Sequence, residues 1–323
     1  MIIMESIQIA TYALGLIFVI AFASKGIKYA RMPIHLRWEL YPLAGETKRP
    51  WGGSYLEEPE WWTKPREGKS LAGELKFMGK EVLYFKEYFD KNRGLWYIVY
   101  PLHVGIFLFI GFFALLLVGA LTMVADVNVS GNSSNAWGEF LYYLTLIVGI
   151  AAFISGTIGA LSLFLRKVID KTMSPYTRRI EYLNILLVLA IFLTGLISWA
   201  AADSTFTIAR EYMRSLFSFK EMDRADGVII AHIILLALFL TYLPFTNMMH
   251  FFAKFFTYHM VRWDDAPQLR GSEIERKLSP LLNQQVTWSA THLQDIERWS
   301  DVTKSNVEPG TTEGRRKARK EEI

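Results

Sequence analysis

Cysteine is absent from all 323 residues, which excludes disulfides and cysteine-ligated iron–sulfur clusters within the chain. Any cluster or thiol chemistry must belong to another polypeptide. Charge is missing just as completely from five long stretches: Ser6 to Ser24, Gly94 to Ala125, Phe140 to Leu165, Tyr182 to Ala202 and Gly227 to Ala253. Each is long enough to cross a hydrocarbon core of about 30 Å. Glu5 precedes the first, and no Lys or Arg occurs before Lys25. The basic region of a cleavable signal is therefore lacking, and the segment is expected to remain as an anchor. Internal repeats and mid-span charges are also lacking, which argues against a small-molecule transporter.

Loop charges set the expected orientation, because short loops rich in Lys and Arg stay on the cytoplasmic side. RKVIDKTMSPYTRR, after the third stretch, carries five basic residues against one acidic, whereas Asp126 to Glu139 carries no basic residue. The amino terminus is thus expected outside and the carboxyl terminus in the cytoplasm. The net charge of +4 reads as topology and not as nucleic-acid binding. The expected fold is an all-α membrane protein of five transmembrane helices, at about 6–24, 95–125, 140–165, 182–202 and 227–256. A cytoplasmic loop spans 25–93, the membrane domain runs over 1–270, and a cytoplasmic tail occupies 271–323.

Histidine is scarce, with six in the chain, and three of them fall in uncharged stretches. His232 and His250 lie 18 residues apart, five turns of a continuous helix, so both are expected on one face about 27 Å apart. A neutral imidazole is costly in hydrocarbon unless satisfied, and metal or haem ligation is the reading that accounts for both. His103 lies about two turns into the second helix, which runs opposite to the fifth, at a depth similar to His250. Together His103 and His250 can supply both axial nitrogens of a b-type haem. Gly105, Gly149, Gly156 and Gly159 would let a flat macrocycle approach the backbone, or else are helix-packing glycines. Arg93, Arg166, Lys167, Arg178, Arg179 and Lys254 lie at a suitable level to meet haem propionates.

With these histidines in place, the chain resembles the gamma subunit of respiratory nitrate reductase and its relatives, five-helix cytochromes b with the amino terminus outside. HLRWELYP (His35 to Pro42), WGGSYLEEPEWWTKPR (Trp51 to Arg66) and VTWSATHLQDIERWSDVT (Val286 to Thr303) resemble its DsrM and HmeC branch of sulfur-metabolising complexes. The resemblance implies haem b, an inner haem on His103 and His250, and an outer haem on His232. The family's second histidine on the second helix would fall where this chain has Phe113. Met123 is an alternative sixth ligand, roughly 200° around the helix from His103, and His232 could instead meet a quinone oxygen or a neighbouring helix.

The resemblance also implies that a menaquinone pool is coupled to a cytoplasmic, DsrK-like iron–sulfur subunit related to heterodisulfide reductase. Other redox subunits of the DsrJ, DsrO and DsrP type would join it in a complex linked to dissimilatory sulfite reduction. The alternative is a haem-poor or haem-free membrane anchor and quinone-binding subunit of a related redox complex. Trp38, Trp51, Trp61 and Trp62 make loop 25–93 a candidate docking surface, and the section with Trp288 and Trp299 could dock as well. The final run EPGTTEGRRKARKEEI is expected to be disordered and attracted to anionic lipid headgroups or a partner. His35 is expected to be structural or docking, and His259 and His292 ordinary solvated histidines.

Overall fold

A computed structural model describes residues 2–32, 71–220, 222, 225–259, 270–287 and 298–301. The long helices are α1 (Ile2–Ala30), α2 (Leu71–Gly79), α3 (Lys86–Lys91), α4 (Arg93–Val124), α5 (Ala136–Ile169), α6 (Arg179–Ala201), α7 (Thr207–Ser218), α8 (Gly227–Tyr242), α9 (His250–Thr257) and α10 (Glu273–Leu282). Among the described residues, five segments are long and apolar enough to cross a membrane: Met4–Ala30, Arg93–Val124, Ala136–Ile169, Arg179–Ala201 and Gly227–Phe245. Helices are the expected solution, because backbone amides find no water in lipid and must bond within their own segment.

The ends of these helices follow local chemistry. Asn92 opens α4 by accepting a bond from the Leu95 amide, and Asn135 opens α5 by accepting from the amides of Trp137 and Gly138, the usual behaviour of an N-terminal asparagine cap. Where α5 ends and α6 begins, Arg166 pairs with Asp170, while Lys167 and Arg178 both meet Glu181. These three candidate propionate partners thus already have carboxylates.

The chain divides into two units, Met1–Ile27 with Leu75–Phe251, and Lys28–Glu74 with Phe252–Ile323. In the first, the core is built mainly from α4, α5, α6 and α7, around Leu102, Phe112, Leu116, Phe153, Phe192 and Phe206. In the second, Tyr29 packs its ring on Phe252 and Phe256, and Ser272 caps α10 by accepting from the Glu275 amide.

Two expectations change. The stretch 203–226 contains a helix, α7, whose Arg210, Tyr212, Met213 and Ser215 are buried. Asp203 starts it by accepting from the amides of Thr207 and Ala209. Polar contacts bind α1 to this helix: Gln8 Nε2 donates to Ser215 Oγ, and the Tyr12 hydroxyl donates to the Leu216 carbonyl.

The last uncharged stretch, expected as one helix over 227–256, is broken. α8 ends at Tyr242, short 3₁₀ turns cover Leu243–Phe245 and Asn247–Met249, and α9 begins at His250. Pro244 lacks the amide proton a continuing helix needs, and its ring crowds the preceding turn. Thr246 is extended at φ −109° and ψ 169°, and its hydroxyl accepts from the Met248 amide to start the next turn. His232 and His250 therefore do not project from one continuous helix, and the five-turn geometry does not hold.

Candidate functional site

His103 is placed by a close crossing of α4 and α5. A Cβ added at Gly105 would overlap the backbone of Gly156, and one added at Gly159 would overlap the backbone of Leu102. Only glycine lets α4 and α5 approach this far. Pro101, two residues before His103, sits inside α4, and Ser155 Oγ of α5 donates to its carbonyl at 2.8 Å. The imidazole is thus carried on a segment whose backbone is locked against its neighbour.

The His103 ring has a defined proton arrangement. Nδ1 lies 2.9 Å from the Val99 carbonyl, which can only accept, so the proton sits on Nδ1 and the lone pair on Nε2. A backbone carbonyl fixing the tautomer in this way is the common outer-shell support of a metal-ligating histidine. Phe85 lies edge-on to the ring at 4.7 Å.

His250 is placed by the break in the last span. Asn184 of α6, buried in its span, donates to Asn247 Oδ1 at 3.0 Å and accepts from the Tyr242 hydroxyl at 2.9 Å. The network holds both sides of the break, three residues before His250. Replacing Asn184 with leucine leaves two polar partners unsatisfied, at a cost of about 1–3 kcal/mol. A thermal melt of the purified variant is expected to show that loss, together with weaker retention of any group held by His250. Unchanged stability and retention would show that the network does not position it.

Here the two histidines meet: the rings of His103 and His250 have centroids 6.3 Å apart with planes at 71°. Two imidazoles each bonded through nitrogen to one metal ion at about 2 Å would have centroids about 6 Å apart. The separation of the pair thus suits two imidazoles that would hold a single ion between them. Among the described residues no group of three or more His, Cys, Asp or Glu could hold a metal. Two nitrogens alone are too few ligands, so a bound ion would bring its remaining donors with it, as a porphyrin does.

His232 has different surroundings. Its Nδ1 is 3.0 Å from Thr194 Oγ1 of α6, and that hydroxyl also lies 2.7 Å from the Ala190 carbonyl. A hydroxyl has one proton and gives it to the carbonyl, so His232 donates and Thr194 accepts. The ring lies edge-on to Phe153 at 5.8 Å, and it shares no ring contact with His103 or His250. Phe113 is 42 % exposed, and Met123 sits in the last turn of α4.

The four glycines are packing glycines: besides Gly105 and Gly159, Gly149 receives the rings of Phe112 and Phe206, and Gly156 the ring of Phe192. Arg93 lies 4.6 Å from the Phe89 ring, and Lys254 lies 5.6 Å from the Tyr258 ring. His259, just beyond α9, bonds through Nδ1 to the Phe255 carbonyl of that helix. His35, His292, Trp288 and the four tryptophans Trp38, Trp51, Trp61 and Trp62 lie outside the described residues.

Sequence reasoning missed two features. One is the Asn184 network, whose signal is an amide side chain inside an apolar span. The other is Arg210, 1 % exposed, which donates through Nη2 to the Thr205 carbonyl and lies 5.3 Å from the Tyr142 ring. Its signal is the helical period of Ile208, Tyr212, Met213 and Leu216 around it.

A family description, "Nitrate reductase gamma subunit", matches residues 88–264, a stretch that begins in α3, includes four of the five spans and contains His103, His232 and His250. No curated protein and no solved structure matches the chain. With 177 of 323 residues matched and five apolar spans in place, the chain is a multi-pass membrane protein that belongs to the nitrate reductase gamma subunit family of haem b-binding membrane cytochromes.

Proposed function

We propose that the chain is the cytochrome b subunit of a quinone-linked redox complex, exchanging electrons between menaquinone and a cytoplasmic iron–sulfur partner. The observation that carries the reading is the His103–His250 pair, 6.3 Å apart and supported on both sides by elements that fix the ligands. His103 presents Nε2 because Val99 holds the proton on Nδ1, and His250 is held in register by the Asn184 network. A haem bound between them supplies one-electron chemistry, with a potential set by axial ligands and surroundings. The polypeptide contributes ligands, orientation and an apolar setting.

The positive-inside pattern supports an amino terminus outside, which places the loop 25–93 and the tail in the cytoplasm. Those segments hold the tryptophan-rich strings that resemble the DsrM and HmeC branch. They support a DsrK-like partner related to heterodisulfide reductase, with DsrJ-, DsrO- and DsrP-type subunits completing a complex for dissimilatory sulfur metabolism. Sulfur chemistry falls to the partners, because this chain has no thiol.

The reading is tested by adding a menaquinol analogue, under anaerobic conditions, to the purified chain in lipid vesicles. Haem reduction is expected, followed by reoxidation when the iron–sulfur partner in its oxidised state is added. A haem that stays oxidised in a folded chain would overturn the quinone link.

A further inference from the structure

We infer that this chain holds haem at the inner His103–His250 pair only, and that the outer half of the bundle around His232 is a haem-free aromatic core. The inference rests on the cytochrome b reading above and departs from the expectation of an outer haem on His232.

Three observations carry it. First, His232 can offer a metal only Nε2, because Nδ1 donates to Thr194, whose own proton goes to Ala190, so ligation would need open space in front of that one nitrogen. Second, the space in front of the imidazole is filled. Phe153 lies edge-on to it and is 2 % exposed. The same ring contacts Phe109, Phe112 and Phe206 at centroid distances of 5.7, 5.6 and 6.0 Å. Third, three glycine notches on α5 and α6 are occupied by rings: Gly195 by Phe153, Gly156 by Phe192, and Gly149 by Phe112 with Phe206. A flat macrocycle placed here would have to displace these rings and part α5 from α6.

The donor set agrees. Among the described histidines, His103 and His250 share a ring contact, and no ring contact joins His232 to another imidazole. An electron crossing this chain has one station, at the His103–His250 end, and not two stacked across the span.

The test is a potentiometric titration of the purified full-length chain in lipid nanodiscs, followed optically, with haem counted per polypeptide. The inference expects one haem per chain and a single one-electron component. It also expects both to be unchanged in His232→Gln, in which the amide can still donate to Thr194. His232→Leu serves as a second variant. Two haems or two components in the unmodified chain would overturn the inference while leaving the cytochrome reading intact, and so would loss of haem from a folded His232 variant. No haem at all in a folded chain would overturn both.

Discussion

His250→Ala is expected to abolish bound haem: the b-type absorbance of the purified chain falls to background, and reduction by a quinol analogue disappears with it. The size of the effect follows from the site. A metal held by two imidazoles loses half of its protein ligands in this variant, and among the described residues no third imidazole faces the pair. The polypeptide should nonetheless insert and fold. His250 is exposed, so truncation opens no core cavity, and its direct cost should stay within about 0.5 kcal/mol. Stability should still fall relative to the haem-loaded chain, because a ligand that binds only the folded state stabilises it by mass action. His103→Ala should give the same spectrum. Visible spectra with a helicity measurement on each variant separate loss of haem from loss of fold. A full haem spectrum in folded His250→Ala would falsify the assignment.

Gly105→Val is expected to have the other large effect, this time on the fold itself. The added Cβ meets the Gly156 backbone, which has no flexible end that can yield. The helices must move apart, and with them Leu102 against Gly159 and Ser155 against the Pro101 carbonyl. Overpacking of this kind costs about 1–3 kcal/mol and occasionally more, and here the upper end is expected because backbone meets backbone. Thermal unfolding in detergent should show a large drop, with haem lost alongside because His103 rides on the same crossing. Gly111→Ala supplies the contrast. Its nearest neighbour is a Val148 methyl at 3.9 Å, ordinary contact, and a helix-interior Gly→Ala change gains roughly 0.5–1 kcal/mol. Equal stability for the two variants would show that the α4–α5 crossing is not the tight element described.

The sequence reveals the five spans well because their signal is the absence of charge, which a membrane enforces on every residue of a run. The expected 95–125 and 182–202 differ from α4 and α6 by only a few residues at each end. The break at Pro244 is less legible: the run stays uncharged through it, and charge says nothing about helix continuity. The amphipathic α7 was hidden for a related reason. Read for charge balance, residues 203–226 look like a loop, and only their helical period places Arg210 and Tyr212 on an inner face.

The site was partly legible. Rarity, depth and opposite helix direction pointed to His103 and His250. The glycines around them carry a signal that packing and cofactor binding share, and only the neighbours of Gly105, Gly149, Gly156 and Gly159 separate the two. The partner of His232 was not legible, since one threonine in an apolar span has many possible neighbours and the fold alone selects Thr194.

The measurement that reaches the central claim most directly is the electron paramagnetic resonance spectrum of the oxidised, purified chain. His103 and His250, whose ring planes stand at 71°, are the residues that would hold the haem, and their imidazole nitrogens would give its ferric state a low-spin signal. The account expects a low-spin ferric signal from haem, absent from His103→Ala and His250→Ala. A folded chain with no haem signal, or a low-spin signal that survives in both variants, would contradict it.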